Sequence, residues 1–134
     1  MQAPADVQVT ETLTGFYWFE DGILCSTSKP DPPKLTPEQQ KEEADRFFAQ
    51  FGKQRYCMLI DGKHIKPNTK EERKKAAEIM PEFTRAVAVI VHNPLGRMVV
   101  NLFIGLSKPG YPLKIFKPGE EARAKEWLKQ YLND

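Results

Sequence analysis

Three short apolar segments with strand character alternate with four amphipathic helical segments along this chain, and an aromatic hairpin precedes them. The resulting order is β-β-α-β-α-β-α-β-α within 134 residues. Such alternation is typical of an α/β domain in which helices pack on one sheet. The sequence therefore predicts a four- to five-stranded mixed sheet in a single domain over residues 1–134, with residues 1–13 as either an edge strand or a loose terminus.

The hairpin is predicted from two apolar runs that flank Asp21-Gly22. FYWF precedes this pair at residues 16–19, and ILC follows it at residues 23–25. Both turn residues tolerate positive φ, which a two-residue hairpin turn requires. We therefore expect two antiparallel strands joined by a two-residue turn.

Capping signals mark the helix starts. Thr36 is followed by Pro37 and then by Gln39, and Thr69 is followed three residues later by Glu72. A hydroxyl with Gln or Glu three residues on is the capping-box pattern, and proline suits the first helical position. The predicted helices span residues 37–51, 69–80, 94–106 and 124–132, and the predicted later strands span residues 55–60, 84–91 and 111–116.

Charge and hydropathy exclude several functional classes. Twenty Lys and Arg residues face eighteen Asp and Glu residues, and the two signs are mixed, so no basic stripe is available for nucleic acid. The longest apolar stretch, at residues 86–91, is too short to span a bilayer. The start MQAPADVQ lacks the charged and apolar regions of a signal peptide, so we expect a cytoplasmic protein.

Cys25 and Cys57 lie in separate strand-like runs, and we expect buried free thiols.

Four segments of this chain resemble a known family. They are CMLIDG at residues 57–62, RAVAVIVHNPLGRMVVNLFIGL at residues 85–106, YPLKIF at residues 111–116, and a terminal helix with Trp127-Leu128. With the element order, they resemble the STAS domains and, more closely, the small bacterial SpoIIAA-like proteins, over residues 14–134. The resemblance implies a mixed sheet carrying helices. The wider family includes anti-anti-sigma regulators that bind partner proteins and are switched by phosphorylation.

This chain differs from those regulators in the sequence of the stretch that is phosphorylated in them. They carry an Asp-Ser-Ser-Gly-like stretch where the helix after the LIDG-type strand begins, and this chain has Asn68-Thr69-Lys70-Glu71. If phosphorylation occurs, Thr69 is the candidate, because a phosphate gains from the dipole and free amides of a helix N-terminus. The alternative is that the Thr69 hydroxyl only caps the helix.

Polar side chains gather where the predicted parallel strands end. In open α/β sheets, ligands bind beyond these carboxyl ends, and such groups support acid–base chemistry or anion binding. The set consists of Asp61, His64, Asn68, Thr69, His92, Asn93 and Arg97. Two members, Thr69 and Asn93, are also explained as helix caps. We expect Asp61 and His92 to share one sheet edge, because each directly follows a parallel strand.

No segment carries a metal or cofactor motif. His64 and His92 lack a third firm ligand for a metal, and the chain contains no GxSxG, GxGxxG or P-loop string. We therefore expect no metal or cofactor, and we favour a non-enzymatic regulatory domain that acts by protein contact. The alternative is a small-molecule or anion-binding domain, including an enzyme, that uses Asp61, His64, His92 and Arg97.

The predicted helix at residues 94–106 is apolar nearly all round. A helix that lies on a sheet needs an apolar stripe on one side only. The second side must be covered by a protein partner or second copy, by another part of the chain, or by lipid or an apolar ligand. We favour self-association as a homodimer. The candidate interface residues are Val99, Val100, Phe103 and Ile104.

Overall fold

The structure is a computed structural model that describes residues 1–65, 69–107 and 110–132. The described residues form one six-stranded sheet and four α-helices. The strands are β1 (Thr10–Glu11), β2 (Gly15–Glu20), β3 (Ile23–Ser28), β4 (Tyr56–Asp61), β5 (Thr84–Ile90) and β6 (Leu113–Phe116). The helices are α1 (Pro37–Phe51), α2 (Lys70–Ile79), α3 (Pro94–Ser107) and α4 (Glu121–Lys129), and a short 3₁₀ helix, Met80–Glu82, follows α2.

The predicted α/β class is confirmed, and the predicted strand count is corrected from four or five to six. The additional strand is β1, whose two residues pair with Tyr17 and Phe16 of β2 at the sheet edge. Residues before β1 are also ordered against the domain, since Met1, Ala3 and Val7 pack on its core. The N-terminal segment is therefore an edge strand preceded by a packed extension.

The strands lie side by side in chain order. Strands β1, β2 and β3 pair antiparallel, whereas β3 to β6 pair in parallel. Right-handed crossovers between sequential parallel strands carry their helices to the same face of a sheet. Accordingly, α1 and α3 pack on one face, which contains Leu24, Met58 and Val87, and α4 packs on the opposite face. The central strands β4 and β5 are buried on both faces, as their continuous apolar sequences predict.

The predicted turn and helix caps are confirmed. Glu20 pairs with Ile23, and the intervening Asp21 and Gly22 have φ values of 52° and 80°, so the hairpin has a two-residue turn. The Thr36 hydroxyl accepts a hydrogen bond from Gln39 N–H at 3.2 Å, and the Gln39 side chain accepts one from Thr36 N–H at 2.9 Å. The same reciprocal pair forms between Thr69 and Glu72, at 3.1 and 3.0 Å.

A polar cluster ties α4 to the hairpin. The Glu20 carboxylate accepts hydrogen bonds from Trp18 Nε1 at 2.7 Å and from Lys125 Nζ at 3.0 Å. Cys25 is buried beside this carboxylate, with its sulfur 3.6 Å from Oε2. Both cysteines are buried and neither forms a disulfide, as predicted. Within the described part of the chain, no helix has both the length and the apolar character that a membrane span requires.

Candidate functional site

Asp61 and His92 meet at the carboxyl edge of the parallel strands. Asp61 ends β4, and His92 follows the end of β5 by two residues. His92 Nε2 lies 2.8 Å from Asp61 Oδ1, so the prediction that the two share one edge is confirmed. Two further groups donate to the same carboxylate: the Lys63 backbone N–H to Oδ1 and the Met1 amino group to Oδ2, each at 3.1 Å. The carboxylate therefore joins three chain segments.

The surroundings of Asp61 keep its carboxylate ionised. The side chain is only 3% exposed, and burial by itself raises a carboxyl pKa. The hydrogen bonds from the Met1 amino group and His92, together with the positive charge of Met1, outweigh burial and hold the pKa of Asp61 below its usual range. Both carboxylate oxygens are thereby occupied by donors. This arrangement makes Asp61 a charged anchor, whereas His92, 24% exposed, keeps one side open to solvent.

The other predicted edge residues are placed in different environments. His64 lines a groove of about 180 Å³ together with Asp61 and Ser28. Asn93 caps α3, since its Oδ1 accepts the Gly96 N–H at 2.8 Å, and Arg97 is exposed on that helix. Asn68 lies outside the described residues.

The edge cluster is therefore a buried, hydrogen-bonded carboxylate beside a groove, and its chemical capacity is limited. Thr69 and Asn93 are engaged as caps, so their side-chain oxygens already accept backbone N–H groups. Among the described residues, no three His, Cys, Asp or Glu side chains are arranged to hold a metal ion. The imidazoles of His92 and His64 are both partly exposed to solvent at this edge.

Helix α3 is apolar on two opposite sides. Val100 is 7% exposed and lies in the core that faces the sheet, and Ile104, one turn later, packs against the same cluster. The Val100 side chain is therefore used within the domain, and that of Ile104 is partly so. Val99 and Phe103 are half-buried at the flanks of the helix.

The outward side of α3 is formed by apolar residues that are not among the predicted interface candidates. Leu95, Met98 and Leu102 are 45%, 50% and 45% exposed. Their spacing of three and four residues places them on one helix face, and the same spacing relates Val100 to Ile104 on the other face. This periodicity is the sequence signal from which the two apolar faces of α3 can be recognised. It could define two faces, but it could not say which one meets the sheet.

Comparison with curated proteins and with solved structures finds no match to this chain. One family of domains does match, over residues 17–132. The matched range begins in β2 and extends beyond the end of α4, so it includes the parallel strands, the Asp61–His92 pair and all of α3. The chain therefore belongs to the family described as "Domain of unknown function (DUF7793)".

Proposed function

We propose that this chain is a non-enzymatic interaction domain of the SpoIIAA-like type that forms a homodimer through the outward face of α3. The observation that carries the proposal is the stripe of exposed apolar side chains Leu95, Met98 and Leu102. Contiguous exposed apolar surface is uncommon on monomeric proteins and marks contact sites. The topology of the sheet, with parallel strands in chain order after a hairpin, supports the SpoIIAA-like assignment.

The charge pattern of α3 favours a second copy as the partner. Arg97 is the one charged residue in the 14-residue sequence of this helix, whereas α1, α2 and α4 are rich in Lys, Arg, Asp and Glu. An uncharged face gains nothing from a charged partner, and it is complementary to another apolar face. A two-fold dimer supplies such a face by symmetry.

Gly105 adds a second observation on the same face. It lies three residues after Leu102 and seven after Met98, and a Cβ built on it would meet no described atom within 4 Å. Glycine inside a helix costs roughly 0.5–1 kcal/mol relative to alanine. Packing within the described chain does not require this glycine. Close approach of a second helix backbone does account for it.

The dimer must extend beyond the three exposed residues. Stable interfaces bury about 800 Å² on each partner, which is more than three side chains provide. Val99 and Phe103 flank the stripe and are half-buried, so they supply adjoining apolar surface. We therefore assign the interface to Leu95, Met98, Val99, Leu102, Phe103 and Gly105, and we call this set the α3 outer face.

The edge cluster gives weaker support to the alternative function. An ionised carboxylate at Asp61 repels anions, and the Gly96 N–H at the start of α3 already donates to Asn93. A bound anion would have to compete with both interactions. The direct contact between Asp61 and His92 instead joins the ends of β4 and β5, as a structural hydrogen bond does.

Light scattering after size exclusion tests the dimer. The wild type should shift from monomer to dimer at a concentration between about 1 µM and about 100 µM, which corresponds to a binding free energy between about −8 and about −5.5 kcal/mol. Leu102→Lys should be a folded monomer, because the new charge is solvated in the monomer and uncompensated in the interface. The matched control is Leu13→Lys, which changes an equally exposed leucine just before β2, near the opposite end of the sheet, and should remain a dimer.

Gly105→Leu separates an interface from an unused surface. On a free surface, leucine should stabilise the helix and leave the molecular mass unchanged. In the proposed dimer, the added side chain keeps the helices apart and weakens association at least about tenfold, or about 1.4 kcal/mol. A wild type that remains a monomer at the highest concentration contradicts the proposal. A Leu102→Lys protein that is still a dimer contradicts the assignment to α3.

A further inference from the structure

A cavity lies between α1 and α2 above the sheet. Its volume is about 190 Å³, and its lining is mostly apolar: Leu35, Ala44, Phe47, Met58, Ala76 and Met80 are among the contributing residues. Protein interiors are normally close-packed, and an apolar cavity of about 150 Å³ is large enough to hold benzene. Neither α1 nor α2 contributes a fully buried residue among those described. These two helices therefore cover the sheet without filling the space below them.

The apolar cavity continues into a groove with a more polar lining. This groove has a volume of about 450 Å³ and lies at the carboxyl end of β3, where Ser28, His64 and Glu72 line it. Thr14 and Gln40 line both spaces, so the two adjoin. The combination has an apolar interior and a polar mouth, which is the usual character of a small-molecule site.

Two buried oxygen atoms at the mouth have no hydrogen-bond partner among the described residues. They are Ser28 Oγ and Gln40 Oε1. A buried acceptor without a donor costs about 1–3 kcal/mol, so such atoms are normally satisfied by protein, water or ligand. A carbonyl oxygen such as Gln40 Oε1 can only accept. The group that completes this site must therefore donate hydrogen bonds.

The charges around the two spaces select against an anion. The described lining includes three carboxylates, Asp31, Glu43 and Glu72, and one ammonium, Lys34. Glu43 is paired with Arg46 at 3.0 Å and Glu72 caps α2, so both carboxylates are held in place. A carboxylate head would place its oxygens against acceptors and against like charge.

From these observations we infer that the space between α1 and α2 binds a small amphiphile with a hydrogen-bond-donating head, a primary amine or an alcohol. Its apolar body occupies the cavity beside Phe47 and Met80. Its head lies at the mouth, where it donates to Gln40 Oε1 and Ser28 Oγ. The site is separate from the α3 outer face, so it does not depend on the proposed dimer.

Three probes with the same six-carbon body test the site: n-hexylamine, n-hexanol and n-hexanoate. Each is titrated into the full chain, and backbone amide shifts are followed by NMR. The amine and the alcohol should give saturable shifts at residues of α1 and α2 around the cavity. Hexanoate should bind at least about tenfold more weakly, because it offers Gln40 Oε1 no donor and brings a negative charge close to the lining carboxylates.

Three variants locate the binding. Ala76→Leu fills the cavity and should abolish binding of the amine and the alcohol, whereas Ala122→Leu makes the same change on the exposed side of α4 and should not alter binding. Gln40→Met keeps the length of the side chain and removes the acceptor, so the preference over hexanoate should decrease. The inference is overturned if no probe gives saturable shifts, if hexanoate binds equally well, or if Ala76→Leu binds as the wild type does. Stabilisation by Ala76→Leu without any probe binding would identify a mere packing gap and would also overturn it.

Discussion

Replacing Asp61 by Asn should destabilise the fold by about 2–3 kcal/mol at pH 7. The carboxylate is buried and receives the Met1 amino group, His92 and the Lys63 N–H. Asparagine keeps the shape of the side chain but has only one accepting oxygen. In either amide orientation its NH₂ group faces a donor, so either the ammonium of Met1 or the pair of donors at Oδ1 loses its partner.

The size of the expected loss of stability depends on how deeply Asp61 and its hydrogen-bond partners are buried. Hydrogen bonds to charged groups contribute about 1.5–3 kcal/mol each, and the loss is largest where the remaining partner cannot reach water. The Met1 side chain is nearly as buried as that of Asp61, and the hydrogen bond from its amino group is partly buried. His92 is partly exposed, so His92→Ala should cost less, about 1 kcal/mol, because solvent and the other two donors compensate. Asp45→Asn is the control, since Asp45 forms an exposed pair with Lys41 and should change stability by less than about 0.5 kcal/mol.

The stabilisation by the Asp61 carboxylate should depend on pH in a direction that follows from its pKa. The folded pKa of Asp61 lies below its ordinary value of about 3.9, so the unfolded chain takes up this proton first as the pH falls. The stabilisation by Asp61 is therefore complete above about pH 5 and is lost as the pH falls through the folded pKa. The difference in unfolding free energy between wild type and Asp61→Asn should therefore be larger at pH 7 than at pH 3.

Urea unfolding followed by tryptophan fluorescence measures these differences, since Trp18 is buried in the core. A penalty for Asp61→Asn that is equal at pH 7 and pH 3 would show that the carboxylate charge has no stabilising role. A penalty no larger than that of Asp45→Asn at pH 7 would contradict the buried anchor altogether.

Two further predictions concern buried thiols and helix caps. Burial, followed by the charge of Glu20, raises the pKa of Cys25 to about 12. The thiol should therefore stay protonated at pH 8 and react with iodoacetamide only as fast as the protein unfolds. Complete labelling of Cys25 within minutes in native buffer would disprove this prediction. Thr69→Ala should cost about 1 kcal/mol, as should Thr36→Ala in the equivalent cap of α1, and Thr69→Ser should restore the loss. Phosphoproteomics of native material will decide whether Thr69 is also modified, and equal stability of Thr69→Ala and wild type would contradict the cap.

Features that depend on neighbouring residues could be predicted from the sequence. The turn at Asp21-Gly22 needs only two residues with positive φ, and each capping box joins groups three residues apart. The burial of β4 and β5 could be predicted for a similar reason, since an unbroken apolar run cannot face water on either side. The meeting of Asp61 and His92 followed from topology, because adjacent parallel strands end at one edge.

The remaining features required contacts between distant segments. Strand β1 has two residues and exists only because β2 offers it a partner. The apolar pattern of α3 permits either face to meet the sheet, and the packing of Val100 and Ile104 on the strands determines that Leu95, Met98 and Leu102 point outward. The unpaired oxygens of Ser28 and Gln40 come together only when β3 and α1 are folded. Local sequence sets backbone conformation and periodicity, whereas the orientation of a helix and the shape of a cavity depend on packing between elements far apart in the chain.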